Sequence, residues 1–515
     1  MATTHEQSRL SGATDDDVPH HRMFIDGAWV DTDEHTEIHS PANESLLATV
    51  AKAGRKETDA AVAAAKRAFE SRVWADMPVV ERADLMQTVA DRLQARFTEL
   101  TELQSREIGV PITVAELLHI GLTISELRDI AELGRDYAWQ EEAPVIGDNA
   151  LGGYLRKEPV GVVAAIVPWN VPMQLGMNKI APALIAGNSV VVKPDSHAPL
   201  TLLELAREFD AAGLPKGVFN VVTGPGEVVG SRLSEHPDVR KIAFTGSTAV
   251  GRDVMSRASA NVKKVSLELV GKGPNIVLPD ADVDHTVDGA LFSFLSFSGQ
   301  GCESGTRLLL PSSLHDEFVA RMVERIKTLR IGDPSDRETT FGPVISRRQR
   351  DRILGYIASG LEQGATLATG GHVITGPGFE RGHWIEPTIF TDVTNDMRIA
   401  QEEIFGPVVA VIRYDTIEEA IAIANDTEYG LSAGVWGEDL ERAMDVANRI
   451  DAGMVWINDF HVVDARYPFG GMKQSGLGRE LGPNALDEYT EVKHVAYATG
   501  RRNDPHPYAV LFGNR

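Results

Sequence analysis

The pattern of apolar and polar positions changes character along the chain. From about residue 54 to 140, apolar residues recur every three to four positions among good helix formers. Residues 60–65 and 85–100 are the clearest cases, and the segment is predicted to be mostly helical. From Val162 onward, short β-branched runs take over at residues 162–167, 190–192, 219–222, 242–244 and 262–267. Helical patterns separate them at residues 173–185, 200–212, 227–234 and 248–258. This alternation predicts a parallel, doubly wound sheet, whose ligands bind beyond the carboxyl ends of its strands. A second alternating region is expected, with strands at 275–278, 308–310, 408–412 and 455–457. Residues 143–157, around a turn at 147–153, and residues 491–498 read as sheet extensions whose edges need covering.

Composition narrows the class. The chain has 515 residues, enough for two or three domains. A formal net charge of −24 argues against nucleic acid or an anionic membrane as the main partner. The most apolar long stretch, residues 161–177, is broken by Pro168, Asn170 and Pro172, so it is not read as a membrane span. Residues 1–22 are polar, include Asp15-Asp16-Asp17 and His20-His21, and read as a mobile tail rather than a signal peptide. One cysteine and no targeting segment fit the cytoplasm. No metal site is expected.

That cysteine, Cys302, sits in Gly299-Gln300-Gly301-Cys302-Glu303-Ser304-Gly305. A lone thiol makes no internal disulfide. The flanking glycines leave the backbone open to a small molecule, and the sulfur is either a nucleophile or an inert buried thiol. Several expected strand ends carry unusual residues: Pro168-Trp169-Asn170, Lys193-Pro194-Asp195-Ser196, Gly224-Pro225-Gly226 and Thr245-Gly246-Ser247. A strand-to-helix handover at Gly246-Ser247 suits a pyrophosphate, or is an ordinary tight turn. Glu268 closes another strand, as a general base or as a rim salt bridge with Lys272. Asn170 is an oxyanion donor or a turn former.

Further motifs are Phe244-Thr245-Gly246-Ser247, Leu267-Glu268-Leu269-Val270-Gly271-Lys272, Glu402-Glu403-Ile404-Phe405-Gly406-Pro407 and Pro468-Phe469-Gly470-Gly471. Together with those above, and in this order and spacing, they resemble the NAD(P)-dependent aldehyde dehydrogenase family over about residues 23–498. The resemblance implies an α/β protein with three parts. A Rossmann-like parallel-sheet cofactor domain would hold residues 23–140 and 159–270, and a second α/β catalytic domain residues 271–485. Residues 141–158 and 486–500 would form a small β oligomerisation arm. It implies Cys302 as nucleophile, the Asn170 amide with the Cys302 N–H as oxyanion hole, and Glu268 as the base that activates water. Lys179 and Glu480 match positions that relay its proton, or form a structural salt bridge. Ile166, Trp169, Lys193, Ser196, Gly226, Gly246, Ser247, Glu403 and Phe405 would contact the cofactor. That cofactor is NAD or NADP, with NAD slightly favoured. The other partner is a small-molecule aldehyde, and the assembly a homodimer or homotetramer. The implied chemistry runs through a thiohemiacetal and a thioester to a carboxylic acid.

The chain also departs from the family pattern. Val270 stands where glycine is usual and is expected to crowd the loop after Glu268. Ser196 replaces a glutamate that commonly binds the adenosine ribose, which weakens the case for strict NAD use. Val171, Asn178 and Ser296 occupy entrance positions that are often aromatic, and a later pocket segment reads Phe460-His461-Val462-Val463. A wider, less apolar tunnel is expected, with His461 as a hydrogen-bonded pocket or rim residue. Two readings compete. A CoA-acylating semialdehyde dehydrogenase or an acyl-phosphate reductase would not need Glu268. A non-catalytic binding or structural homologue would be free to lose Cys302, Glu268 or Asn170, and all three are present.

Overall fold

The computed structural model describes residues 18–146, 151–498 and 509–513. The first sheet has eight strands in the order Gly476–Leu477, Lys264–Glu268, Val239–Thr245, Val162–Ile166, Ser189–Lys193, Phe219–Val221, Met23–Ile25 and Ala28–Val30. The five central strands run parallel. The chain starts from Val162–Ile166, adds two strands on one side, then returns to add two on the other. The order therefore reverses between Ile166 and Thr245, and such a point opens a crevice at the strands' carboxyl ends.

Helix Pro172–Ile185 is buried along its whole length, which explains why the longest apolar stretch belongs to the core. No helix among the described residues is long and apolar enough to cross a membrane. Helix Arg55–Glu70 packs an alanine-rich face, including Ala61, Ala64 and Ala65, and small side chains allow close approach to the sheet.

The second sheet has seven strands in the order Thr366–Thr369, Thr388–Thr391, Val408–Tyr414, Arg307–Pro311, Pro274–Val277, Ser432–Trp436 and Met454–Ile457. All neighbours are parallel except the first pair. The third sheet is antiparallel and pairs Leu151–Pro159 with Gln140–Ile146 on one side and Thr490–Ala498 on the other. The expected turn at 147–153 falls partly on residues 147–150, outside the described residues.

Three expectations need correcting. His20–His21 is a strand paired in parallel with Leu46–Ala51, so the tail does not reach residue 22; residues 1–17 lie outside the described residues. His20 is held there by hydrogen bonds to Thr49 and Asp31. Val262 does not begin a strand, because it takes a left-handed conformation (φ 53°) that ends the preceding turn, and pairing starts at Lys264. Gly476–Leu477, from the segment assigned to the second domain, pairs antiparallel with Lys264–Glu268 and completes the edge of the first sheet.

Candidate active site

The strand-end residues meet where the strand order reverses. Pro168, Trp169 and Asn170 follow Val162–Ile166, Gly246 and Ser247 follow Val239–Thr245, and Glu268 closes the adjacent strand. With Cys302, Glu403 and Phe405 they line one cleft. A second cleft, lined by Leu122, Val171, Asn178, Phe297, His461 and Phe469, shares Cys302 and Asn170 with the first. The sulfur therefore borders both.

Close backbone approach sets this geometry. A Cβ on Gly271 would lie 2.2 Å from the Cys302 carbonyl oxygen, so only glycine lets the loop after Glu268 pass behind the cysteine. Gly299, at φ 74°, would put a Cβ 2.2 Å from the Gly406 backbone. Phe297, Ser298, Phe405 and His461 also take left-handed conformations, at φ 54–59°. Such backbone costs roughly 1–3 kcal/mol per residue and clusters at functional sites.

Asn170 donates one amide N–H to the Gln300 carbonyl at 2.9 Å. That bond fixes the amide beside Cys302 and leaves its second N–H for another acceptor. Glu268 is buried, and neither of its carboxylate oxygens has a partner. The rim salt bridge with Lys272 does not form: that ammonium is buried without a partner of its own, and burial pushes it down to about 7. Burial, and then the charge of Glu480, push the Glu268 carboxyl well above the usual range, while Lys179 opposes them. Lys179 donates to Glu480 at 2.5 Å and to Thr245 Oγ1 at 2.8 Å. The two are thus a buried ion pair within electrostatic reach of Glu268. The Cys302 thiol is itself pushed up, by burial and by the charges of Glu268 and Glu303.

The remaining expected cofactor residues gather at neighbouring strand ends. Lys193 is buried and donates to the Pro194 carbonyl at 2.6 Å. Ser196 Oγ donates to the Gly224 carbonyl at 3.2 Å, which ties its loop to Gly224-Pro225-Gly226. Asp195 accepts from the His197 N–H at 2.9 Å and meets its ring Nδ1 at 2.8 Å. Ile166 ends its strand in register with Lys193 and Phe244. Trp169 stacks edge-on against Phe405, with ring centroids 5.3 Å apart. Glu403 accepts from the Gly271 N–H at 3.2 Å.

Val171 and Asn178 do line the second cleft, but Ser296 does not. It faces a different surface groove, because its hydroxyl turns back to the Phe292 carbonyl at 2.6 Å. His461 is buried against Glu303. Val270 lines the first cleft, with its carbonyl held by Ser475 Oγ at 2.6 Å.

Sequence reasoning passed over Glu303, Gln349 and Arg352. Gln349 and Arg352 also line the first cleft, from helix Arg347–Glu362. Gln349 donates to the Phe405 carbonyl at 2.7 Å, and Arg352 to that of Glu403 at 2.9 Å. Their helix lies far from the glycine motifs in sequence and gave no local signal. Glu303 was visible beside Cys302, but its meaning depends on a distant histidine.

Known proteins resemble the chain over most of its length. A model of the aldehyde dehydrogenase family matches residues 29–495. Betaine aldehyde dehydrogenase of Bacillus subtilis (strain 168) is 42% identical over 480 residues, covering 92% of this chain and 96% of that protein. The NAD+ complex of an aldehyde dehydrogenase from Bacillus cereus aligns with a TM-score of 0.90 at 41% identity, covering 93% of this chain and 97% of that one. Betaine aldehyde dehydrogenase from Staphylococcus aureus in complex with NAD+ aligns with a TM-score of 0.91 at 37% identity, covering 93% and 95%.

Proposed function

The chain belongs to the aldehyde dehydrogenase family, and from that premise we propose that it oxidises an aldehyde to the free carboxylic acid through a thioester on Cys302. It is an oxidoreductase whose cofactor is NAD or NADP. The observation that carries the mechanism is the position of Cys302 and Asn170 on both clefts, with the unpartnered carboxylate of Glu268 lining one of them.

The residues present fit a dinucleotide. Gly246-Ser247 opens the eleven-residue helix Thr248–Ala258, whose first N–H groups and dipole suit a pyrophosphate. Gly226 has open space where a Cβ would stand, so its backbone can lie against a ligand. Trp169, Lys193, Ser196, Glu403 and Phe405 would hold the rest, with Ile166 at the end of the central strand beside Lys193. Held there, the nicotinamide would supply a hydride acceptor for the substrate carbon.

The chain's own residues do the remaining work. The Cys302 sulfur attacks the carbonyl carbon. The free N–H of Asn170 and the Cys302 backbone N–H receive the oxyanion, the kind of preorganised donor pair that stabilises developing charge. Glu268, with no competing hydrogen bond, takes a proton from the water that cleaves the thioester, and the Lys179–Glu480 pair passes that proton on. A deacylation base is what a CoA-acylating enzyme or an acyl-phosphate reductase would not need, so Glu268 favours hydrolysis.

The second cleft, which mixes apolar side chains with the amides of Gln174 and Asn178, supports a neutral aldehyde. Its aromatic side chains are Phe297 and Phe469, and its lining carboxylate, Glu303, is engaged by His461. It therefore offers no unengaged carboxylate to a cationic substrate. Both cofactors are used, with NAD modestly preferred or equal: Ser196 removes a ribose carboxylate, and Asp195 is turned to His197. The protein acts in the cytoplasm as a homodimer or homotetramer joined through the three-stranded sheet.

Absorbance at 340 nm with a panel of aldehydes and both cofactors tests the proposal. Turnover to the free acid without CoA or phosphate is expected. Activity only with one of those acceptors would replace it, and rejection of NADP on the order of a thousandfold would overturn the cofactor reading. Ser196→Glu should raise discrimination against NADP.

A further inference from the structure

The thiol's own hydrogen bond has no part in the roles given to Glu268 and Asn170. Cys302 Sγ donates to Glu303 Oε2 at 3.2 Å. Glu303 Oε1 lies 2.9 Å from His461 Nδ1, and His461 Nε2 lies 3.1 Å from the Ser293 carbonyl oxygen. A carbonyl only accepts, so Nε2 carries a proton. Nδ1 and the Glu303 carboxyl then share one proton between them, and the pair is net neutral.

The pair is built in rather than incidental. Both residues are buried. The Glu303 main chain is anchored by Ser432 Oγ, which donates to its carbonyl at 2.7 Å. Its carboxylate curls back over Gly301, within 3.4 Å of where a Cβ would stand. His461 is held at φ 59°, a backbone conformation a non-glycine residue rarely adopts, with its ring edge-on to Phe292 at 5.3 Å.

We propose that Glu303, positioned by His461, accepts the Cys302 proton during attack on the aldehyde, so that the thiol and the hydrolytic water are served by different carboxylates. The inference rests on the reading of Cys302 as nucleophile. The S–H bond breaks and its proton passes to Glu303 Oε2, while the sulfur electron pair forms the bond to the carbonyl carbon. The carbonyl π pair moves to oxygen. The Glu303–His461 pair gains that proton and becomes cationic beside the forming thiohemiacetal.

Glu268 is not placed for this step: the thiol's hydrogen bond runs to Glu303, and neither Glu268 carboxylate oxygen has a partner. Burial disfavours the Glu303 carboxylate, but the hydrogen bond and charge of His461 outweigh this and hold it below the usual range. The other charged or titratable groups that act on this pair are Cys302, Glu268, Glu403 and His119. Burial drives His119 down to about 3, so it stays neutral.

The test is the rate of Cys302 alkylation by iodoacetamide, from mildly acidic to alkaline pH, without aldehyde or cofactor. Although it also removes a charge that pushes the thiol up, Glu303→Gln should slow alkylation at neutral pH by on the order of 10²-fold, because the proton acceptor is gone. His461→Asn keeps a donor toward Glu303 but removes the basic ring, so burial raises the Glu303 carboxyl. The rate should then fall at mildly acidic pH and recover at alkaline pH. A wild-type or faster rate in Glu303→Gln overturns the proposal, as does a pH-independent change in His461→Asn. If circular dichroism shows Glu303→Gln unfolded, the His461→Asn profile decides alone. Failure of the dehydrogenase reading would instead appear as absent wild-type turnover in the aldehyde panel, which this thiol assay does not use.

Discussion

With Cys302 as the chain's only thiol, covalent labelling becomes a count. One equivalent of iodoacetamide should inactivate the enzyme in step with incorporation, and Cys302→Ala should lose turnover while still binding cofactor. Full activity after stoichiometric labelling would rule the nucleophile out. Glu268→Gln should slow acid release more than hydride transfer, leaving a burst of reduced cofactor and a thioester adduct visible by intact mass. Burial and Glu480 hold the wild-type carboxyl protonated above its ordinary range, so deacylation should rise with pH through that raised value. The glutamine variant should lack this limb. Cys302, Glu268 and Asn170, which line one cleft, could be singled out in the sequence, but their local pattern left each either functional or structural, and only the resemblance of the ordered motifs to a family suggested their roles. Glu303 was not legible in this way. Its partner His461 is 158 positions away, and only folding puts an imidazole against it.

Among the elements, the loop after Glu268 is the least forgiving. Gly271→Ala would drive a methyl group into the Cys302 carbonyl, and since both contacts are backbone, neither side can yield cheaply. Thermal unfolding should show a loss of about 1–3 kcal/mol, the usual cost of overpacking, together with a fall in kcat. Helix ends give a second prediction. Glu107, on helix Phe97–Ile108, accepts from the Leu200 N–H at 2.5 Å at the start of helix Leu200–Ala211, and burial pushes its carboxyl up to about 8. Folding therefore binds a proton that the unfolded chain releases near 4.5. Stability falls with rising pH through that window, by about 1.4 kcal/mol per pH unit. Glu107→Gln should gain thermal stability over wild type at alkaline pH and gain none at mildly acidic pH; equal shifts at both would count against a protonated Glu107. The five parallel strands were readable because β-branched runs alternate with helices. Thr366–Thr369, Thr388–Thr391 and Ser432–Trp436 escaped because threonine, serine and glycine interrupt the apolar signal, and pairing with neighbours supplies what local preference lacks.

For the whole molecule, Thr490–Ala498 is a nine-residue edge strand, exposed over most of its length, with Val492 and Tyr497 open to solvent. An edge this long is a template for another strand. Light scattering at micromolar concentration should give at least twice the monomer mass, and a monomer would remove the assembly proposal. Paired charge substitutions at Val492 and Tyr497 should lower the mass while leaving the clefts intact.

The sharing of Cys302 and Asn170 between two clefts also bears on traffic through the enzyme. On the proposed reading the dinucleotide keeps to the first cleft and the aldehyde to the second, so neither would have to leave for the other to move. An adenine nucleotide fragment should therefore act as a competitive inhibitor toward the dinucleotide and a noncompetitive one toward the aldehyde, with the opposite pattern for an unreactive amide analogue of the substrate. The reduced cofactor would then depart while the acyl group still waits on sulfur for water.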